Sequence, residues 1–256
     1  MRANRASMAK EISKTQIDRL GDRLKQGNIT EADLRLLDLY RRSFTPAYEI
    51  VVGTIRRDLA LEPTGRPAKS TTSISEKLRR EHIRLTQIQD IAGCRLTVTD
   101  IAEQDSVVQS LSNLFEKTTI LDRRERPSHG YRAVHVVVNS LDKLIEIQIR
   151  TALQHLWAEL SEKLSDIVDP AIKYGVGNED VRMLLTQASA MVIIVESSEI
   201  RSAKAIISSE ALFTDDKWIT KIEKSISSMR QQAFETLRDV IEIVEELEGE
   251  KDDLSD

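Results

Sequence analysis

A single cysteine, Cys94, in 256 residues excludes an intramolecular disulfide framework and a zinc site built on cysteine pairs. It lies in Gly93-Cys94-Arg95-Leu96-Thr97-Val98, a strand-like run in which a buried thiol is the expected state. Long apolar runs are missing. The most apolar window, Val181 to Val195, is interrupted by Arg182 and Gln187 and reads as too short to span a bilayer. Met1 to Lys14 is basic without an apolar stretch, so it does not read as a signal peptide. The expectation is a cytoplasmic protein without membrane contact. A net charge of −5 gives no general affinity for nucleic acid, so any such surface would be local. Aromatics make up only 4%, and each Tyr or Trp in a polar setting therefore stands out.

What is present suffices for a sizeable core: 40% of the residues are hydrophobic. The length admits one large α/β domain with a helical extension, or two small domains. Residues 1–12 read as a basic tail, followed by a helix stopping at Gly27-Asn28. Thr30 can cap the next helix, with Asp33 three residues on. Its apolar stripe runs from Leu34 through Tyr40, Val51 and Ile55 to Leu59, with a bend at Pro46. A short helix at Ser73–Arg80, a strand at Ile91–Thr99 and a helix at Glu103–Phe115 come next. Strands at Thr118–Leu121, Tyr131–Asn139 and Leu144–Arg150 then lead to a helix over Ala152–Leu164. This order predicts an α/β or α+β fold, a mixed β-sheet flanked by helices, with N- and C-terminal helical extensions. From Glu179 everything reads as helix. Trp218, Ile222, Ile226, Met229, Ala233, Leu237, Val240, Val244 and Leu247 form one sustained stripe ahead of an acidic end, Glu242–Asp256. The boundaries expected are 1–29 for the tail and first helix, 30–175 for the sheet domain and 176–256 for the helical extension.

The most regular pattern is Ile145-Glu146-Ile147-Gln148-Ile149-Arg150. Alternation puts three isoleucines on one face of a strand and Glu, Gln and Arg on the other. An edge strand with one wet face explains that equally well. In Gly130-Tyr131-Arg132-Ala133-Val134-His135, Tyr131 and His135 share a strand face about 13 Å apart. The ring could stack a base and the imidazole could meet a phosphate; a cross-strand aromatic and a solvated histidine are the plain alternative. Arg123, Arg124 and Arg126 form a basic loop that steers an anion or is simply solvated. Arg66 and Lys69, then Lys77, Arg79 and Arg80, flank a Pro/Gly loop and a helix start, where phosphate binding is physically cheap. Asp90, before an apolar strand, either ligates a metal or caps a turn. There is no Walker A sequence, no Gly-rich dinucleotide fingerprint and no nucleophile elbow.

Taken in order, four motifs resemble the RelA/SpoT synthetase domain of the small alarmone synthetases. They are Arg66…Lys69…Ser73-Ile74…Lys77-Leu78; Gln89-Asp90-Ile91-Ala92-Gly93-Cys94-Arg95; Gly130-Tyr131-Arg132…His135; and Glu146-Ile147-Gln148-Ile149-Arg150-Thr151 with Trp157-Ala158. The resemblance covers roughly residues 40–170. It implies a nucleotidyltransferase-like sheet and transfer of pyrophosphate from ATP to a nucleotide 3′-hydroxyl. By it, Asp90 holds Mg²⁺, and Glu146 shares the metal or takes the hydroxyl proton. Arg66, Lys69, Lys77 and Arg95 bind ATP. Arg126, His129, Tyr131, His135, Gln148, Arg150 and His155 surround the acceptor. The chain departs from the family pattern at Arg66-Pro67-Ala68-Lys69, one residue longer than Arg-x-Lys, at His129 before Gly130-Tyr131, and at Gln154-His155 before Trp157.

The resemblance implies ATP with GDP or GTP as substrates. It leaves open a toxin-type relative that modifies the tRNA 3′ end or makes an adenosine alarmone, an antitoxin partner with it, and an inactive binding module. None of the four histidines is followed by Asp, so the hydrolase metal pair of longer relatives is not expected. The C-terminal stripe either packs on its own domain or pairs between chains; the resemblance implies the second, a homo-oligomer formed through those helices.

Overall fold

The computed structural model describes residues 12–210 and 217–253, apart from the side chains of Arg66, 208–210 and 250–253. The expected basic tail falls outside these residues except for Ile12, as do the last three residues of the acidic end. Helix α1 (Lys14–Gln26) starts on a Ser13–Gln16 capping box and stops at Gly27, whose φ of +77° is the left-handed turn that glycine favours. Helix α2 (Glu31–Arg42) starts on the expected box between Thr30 and Asp33. Arg23 reaches Asp33 at 2.6 Å and holds the carboxyl near 2, well below its ordinary range.

The stripe expected to form one bent helix through Leu59 instead forms two. α2 ends before Ser43-Phe44, and α3 (Thr45–Leu59) begins with Pro46 in its first turn. Proline lacks the amide that an interior turn would need, so the chain restarts rather than bends. Strand β1 (Thr64–Arg66) occupies what reads in sequence as a terminating loop. Helix α4 (Thr71–Glu81), strand β2 (Ala92–Val98), helix α5 (Ile101–Leu114), strands β3 (Thr118–Asp122), β4 (Val134–Ser140) and β5 (Lys143–Thr151), and helix α6 (Ala152–Ile167) lie close to their expected places. Helices α7 (Glu179–Glu210) and α8 (Lys217–Asp253) complete the described chain.

The five strands form one mixed sheet in the order β1-β2-β5-β4-β3. β5 is therefore the middle strand. The edge-strand explanation of its alternation fails on that ground. Ile145, Ile147 and Ile149 are fully buried, while Glu146 and Gln148 keep partial exposure. β4 and β5 are joined by Leu141-Asp142, whose φ values of +48° and +57° place both residues in the left-handed region without a glycine. Exchanging this pair for Asn-Gly is expected to stabilise the protein by about 1 kcal/mol. Thermal melting checks this, and a lowered midpoint would contradict it.

By compactness the chain forms two units, Met1–Cys94 with Val137–Ile147, and Arg95–Val136 with Gln148–Asp256. In the first, Ile17, Leu20 and Leu24 of α1, Ile55 of α3, and Ile74 and Leu78 of α4 are buried. In the second, α6, α7 and α8 share a core of Leu153, Leu156, Trp157, Leu160, Leu185, Val192, Leu237, Ile241 and Val244. The C-terminal stripe thus packs in part on its own chain through Ala233, Leu237 and Val244, whereas Met229 and Leu247 remain exposed.

The expectation that the apolar window near 181–195 is too short to span a bilayer does not hold. By length and composition Glu179–Ile207 is sufficient, at a mean hydropathy of 1.3. Packing accounts for part of this apolarity, while Met183, Ile194, Ile200 and Ile207 remain exposed. One face of α7 (Leu185, Ala188, Val192, Val195) is core, and that face also carries a buried, ion-paired glutamate, Glu196.

Candidate functional site

The candidate residues fall into two clusters, one in each compact unit. The first is built on Asp90. Lys69 is fixed by its backbone amide, which donates to Ile91 O at 2.7 Å, and its ammonium reaches Asp90 Oδ2 at 2.7 Å. Lys77 projects from α4, whose Ile74 and Leu78 are anchored in the core, and donates to Asp90 Oδ1 at 2.9 Å. Burial pushes the Asp90 carboxyl up, but the two ammonium groups outweigh it and hold the group below its ordinary range. Lys77 also lies 4.0 Å from Glu81 Oε1, so the two ammonium groups face two carboxylates, and a polyphosphate would have to draw them away from these partners.

Glu146 is in the same unit, on β5 beside Gly93 of β2. A Cβ built at Gly93 would lie 2.7 Å from the Glu146 carbonyl oxygen and 3.4 Å from its Cβ. Gly65 of β1 approaches the other side of that strand, where a Cβ would stand 2.5 Å from Gly93 O. The glycines allow three backbones to close up around the glutamate. Cys94 next door is buried, and its thiol is pushed up to about 12, first by burial and then by Glu146. It is a core thiol, not a nucleophile.

Asp90 and Glu146 are hard oxygen donors of the kind Mg²⁺ takes, and that ion ordinarily completes its shell with water and substrate phosphates. No group of three or more His, Cys, Asp or Glu able to hold a metal occurs among the described residues. The two carboxylates are chemically suited to Mg²⁺, and with no third such group beside them among the described residues they suit an ion whose remaining ligands come from outside the protein.

The second cluster is built on Tyr131. It precedes β4 rather than lying in it, so the expected 13 Å strand spacing to His135 does not apply. Its hydroxyl is 3.0 Å from His135 Nε2, and the rings meet edge to face at 5.8 Å. Arg150 donates to the same hydroxyl and to Gln148 Oε1, both at 3.0 Å, with its guanidinium 5.1 Å from the Tyr131 ring centre. The Tyr131 hydroxyl thus accepts from Arg150 and shares one hydrogen with His135 Nε2, the histidine tautomer setting which of the two donates. Trp157 flanks the ring at 6.4 Å. At Gly130 (φ +92°) a Cβ would lie 2.8 Å from the Trp157 ring, so only glycine brings Tyr131 in so tightly.

Arg95 belongs electrostatically with this second cluster. Burial lowers its pKa first, Arg150 lowers it further, and Glu162, Tyr131 and Glu159 oppose. His155 is likewise lowered, by burial and then by Arg95 and Arg150. Arg95 Nε, Arg150 Nε and His155 Nδ1 are buried polar atoms with no hydrogen-bond partner. Two guanidinium groups, each with a buried Nε that has no partner, give this cluster donors that an anion could satisfy.

Arg126 is exposed on its loop, and His129, exposed at φ +52°, lays its ring on Gly175. The basic loop is less available than its sequence implies. Arg124 is tied to Asp105 and Asp122, each at 2.7 Å, and Arg132 to Glu196 at 2.8 Å. The side chain of Arg66 lies outside the described residues. Sequence reasoning missed Glu196, Gln154 and Gln104, which form a buried polar network. The available signal was the helical spacing Leu185, Ser189, Val192, Glu196, a polar pair on an otherwise apolar face.

The sequence model described as "Region found in RelA / SpoT proteins" matches residues 65–165. The GTP pyrophosphokinase YjbM of Bacillus subtilis is 35% identical over 157 residues, covering 54% of this chain and 70% of that protein. An uncharacterized protein of Mycobacterium tuberculosis is 40% identical over 111 residues, 42% of this chain. The match spans only 41% of that mycobacterial relative's length. Among solved structures, small alarmone synthetase 1 from Bacillus subtilis aligns with a TM-score of 0.51 at 26% identity, covering 67% of this chain and 98% of that one. The same synthetase bound to its product pppGpp gives a TM-score of 0.50 at 24% identity, a likeness of fold.

Proposed function

Since this chain belongs to the RelA/SpoT family, we propose that it is a pyrophosphokinase that moves the β,γ-pyrophosphate of ATP to the 3′-hydroxyl of GDP or GTP. The observation that carries this reading is the Asp90 corner, where Lys69 and Lys77 converge on one carboxylate in the same compact unit as Glu146. The naming of a GTP pyrophosphokinase among the relatives supports the choice of reaction class.

In this reading Lys69 and Lys77 turn from Asp90 to the ATP phosphates, and Arg66 also serves ATP binding. Mg²⁺, held by Asp90 and Glu146 together with ATP, would neutralise charge on the polyphosphate. The acceptor's base stacks on Tyr131, and its phosphates or ribose meet His135, Gln148, Arg150 and His155. Arg95 joins that acceptor group by its position beside Arg150. The acceptor's 3′-oxygen bonds to the β-phosphorus, the bond from that phosphorus to the α,β-bridging oxygen breaks, and AMP leaves. Glu146 takes the hydroxyl proton. Such transfers depend on positioning and charge compensation more than on covalent chemistry by the protein.

The reading is of a synthetase alone, without hydrolysis of its product, acting in the cytoplasm. It includes a homo-oligomer through the C-terminal helices, for which the exposed Met229, Ile243 and Leu247 offer apolar surface. A tRNA acceptor is less favoured, because Arg124 and Arg132 are already engaged within the protein. The test incubates the purified chain with ATP labelled in its β-phosphate and with GDP, GTP, ATP or tRNA in turn. Label is expected on the guanine nucleotides; label on tRNA alone would overturn the assignment.

A further inference from the structure

Three hydrogen bonds tie helix α7 to the residues around Tyr131, and their spacing follows the helix. Trp157 Nε1 donates to Leu185 O at 2.8 Å, Ser189 Oγ donates to Gly130 O at 3.0 Å, and Arg132 donates to Glu196. Leu185, Ser189, Val192 and Glu196 recur at steps of four, three and four, so one buried face of α7 presents these ties over about 16 Å. Ser189 and Glu196 both lie beyond residues 65–165, the stretch that matches the family.

Glu196 is the junction. Its Oε2 accepts from Arg132 Nε at 3.0 Å and Nη2 at 2.8 Å, immediately after Tyr131. Its Oε1 accepts from Gln154 Nε2 at 2.6 Å and from Thr151 Oγ1 at 3.4 Å, immediately after Arg150. One carboxylate therefore fixes both the segment that carries the ring and the strand end that carries the guanidinium over it. The remaining Arg132 nitrogen, Nη1, donates to Arg124 O at 2.8 Å, so the ring segment is held from two directions. The glutamate side chain is 3% exposed and that of Arg132 13%. Burial raises the Glu196 carboxyl, and Arg132 and Gln154 oppose that rise. A buried charge of this kind is tolerated only when it is fully paired.

We propose that Glu196 is a positioning residue that sets the spacing of Tyr131 and Arg150, making α7 a structural part of the acceptor half of the enzyme. The proposal rests on the functional reading above in taking Tyr131 and Arg150 as acceptor contacts. Glu196 itself touches neither nucleotide nor reacting atoms.

The test compares wild type, Glu196→Gln, and the double exchange of Arg132→Leu with Glu196→Leu, each as the full chain. An amide can accept from Arg132 but brings a donor into the same site, so the fork loosens while side-chain volume is kept. The double exchange replaces the ion pair by apolar side chains, a change that folded proteins often accept, and leaves Gln154 Nε2 to its second acceptor, Gln104 Oε1 at 3.5 Å. KM for GDP is expected to rise on the order of tenfold in both variants, as for loss of charge-assisted hydrogen bonds, with KM for ATP within about twofold of wild type. An equal rise in both KM values, a fall in kcat alone, or a wild-type KM for GDP in the double variant overturns the proposal. Should the wild type transfer pyrophosphate to no acceptor, the functional reading fails. The positioning claim is then decided by GDP titration followed through Trp157 fluorescence, with Trp218 exchanged for Phe in every protein compared. Weaker binding in both variants supports it; equal binding, or no GDP response in wild type, overturns it.

Discussion

Glu146→Gln is expected to lower turnover by about a thousandfold while ATP and GDP still bind with affinities within roughly threefold of wild type. Glutamine keeps the length and shape of the side chain, so the alternation of β5 and the burial of Ile145 and Ile147 are undisturbed. What is lost is a carboxylate beside Gly93, in a unit whose other acidic candidate, Asp90, is held between two lysines. The Asp90 carboxyl is held below its ordinary range by the two ammonium groups, and once these turn to ATP it serves, in the proposed reading, Mg²⁺ rather than the proton. The proton of the attacking hydroxyl is left to Glu146. Initial rates of AMP release measure the loss, and calorimetric titration with each nucleotide measures binding. A variant that retains most of its rate would remove Glu146 from the chemistry. A variant that loses ATP binding along with its rate would make the carboxylate a holder of the polyphosphate rather than a base.

Much of the sheet was legible because its signals are local. β2 and β5 alternate with a period of two, and α1 and α2 carry both their caps and their stripes. β1 was not legible: Thr64-Gly65-Arg66 is three residues long, lies between prolines and becomes a strand only because β2 is there to pair with it. The break between α2 and α3 was misplaced for a related reason, since the apolar stripe continues across Ser43-Phe44 even though the helix does not.

In the candidate site, residue types were readable and partners were not. Asp90, Lys69 and Lys77 were each singled out, but nothing local says that both lysines close on one carboxylate. Arg124 reads as a loop cation although one counter-ion, Asp122, is only two residues away; its other, Asp105, lies 19 residues off, and the Glu196 that engages Arg132 lies 64 residues off. Tyr131 and His135 read as strand neighbours because the bend that lets the hydroxyl reach the imidazole precedes β4 and leaves no periodic signature.

Gly93→Ala is expected to cost activity by about a hundredfold and stability by roughly 1–3 kcal/mol, although the exchange adds a single methyl group. The methyl would sit 2.7 Å from the Glu146 carbonyl oxygen, well inside van der Waals contact. β2 has little room to retreat, because β1 lies close on its far side, where even a Cβ at Gly65 would stand 2.5 Å from Gly93 O and 2.6 Å from the Cys94 Cα. β5 must move instead, and it carries Glu146. The control is Gly53→Ala in α3, where an added Cβ meets nothing within 4 Å and the helix gains up to about 1 kcal/mol from the better helix former. Melting curves and rates on the two variants separate the effects. The Gly53 variant should melt higher at unchanged rate, and the Gly93 variant should melt lower and lose far more rate than its stability loss accounts for at temperatures where it is still fully folded. If Gly93→Ala instead kept its full rate while melting lower, the close approach of β2 to β5 would be a matter of folding alone, and the position of Glu146 would tolerate the displacement.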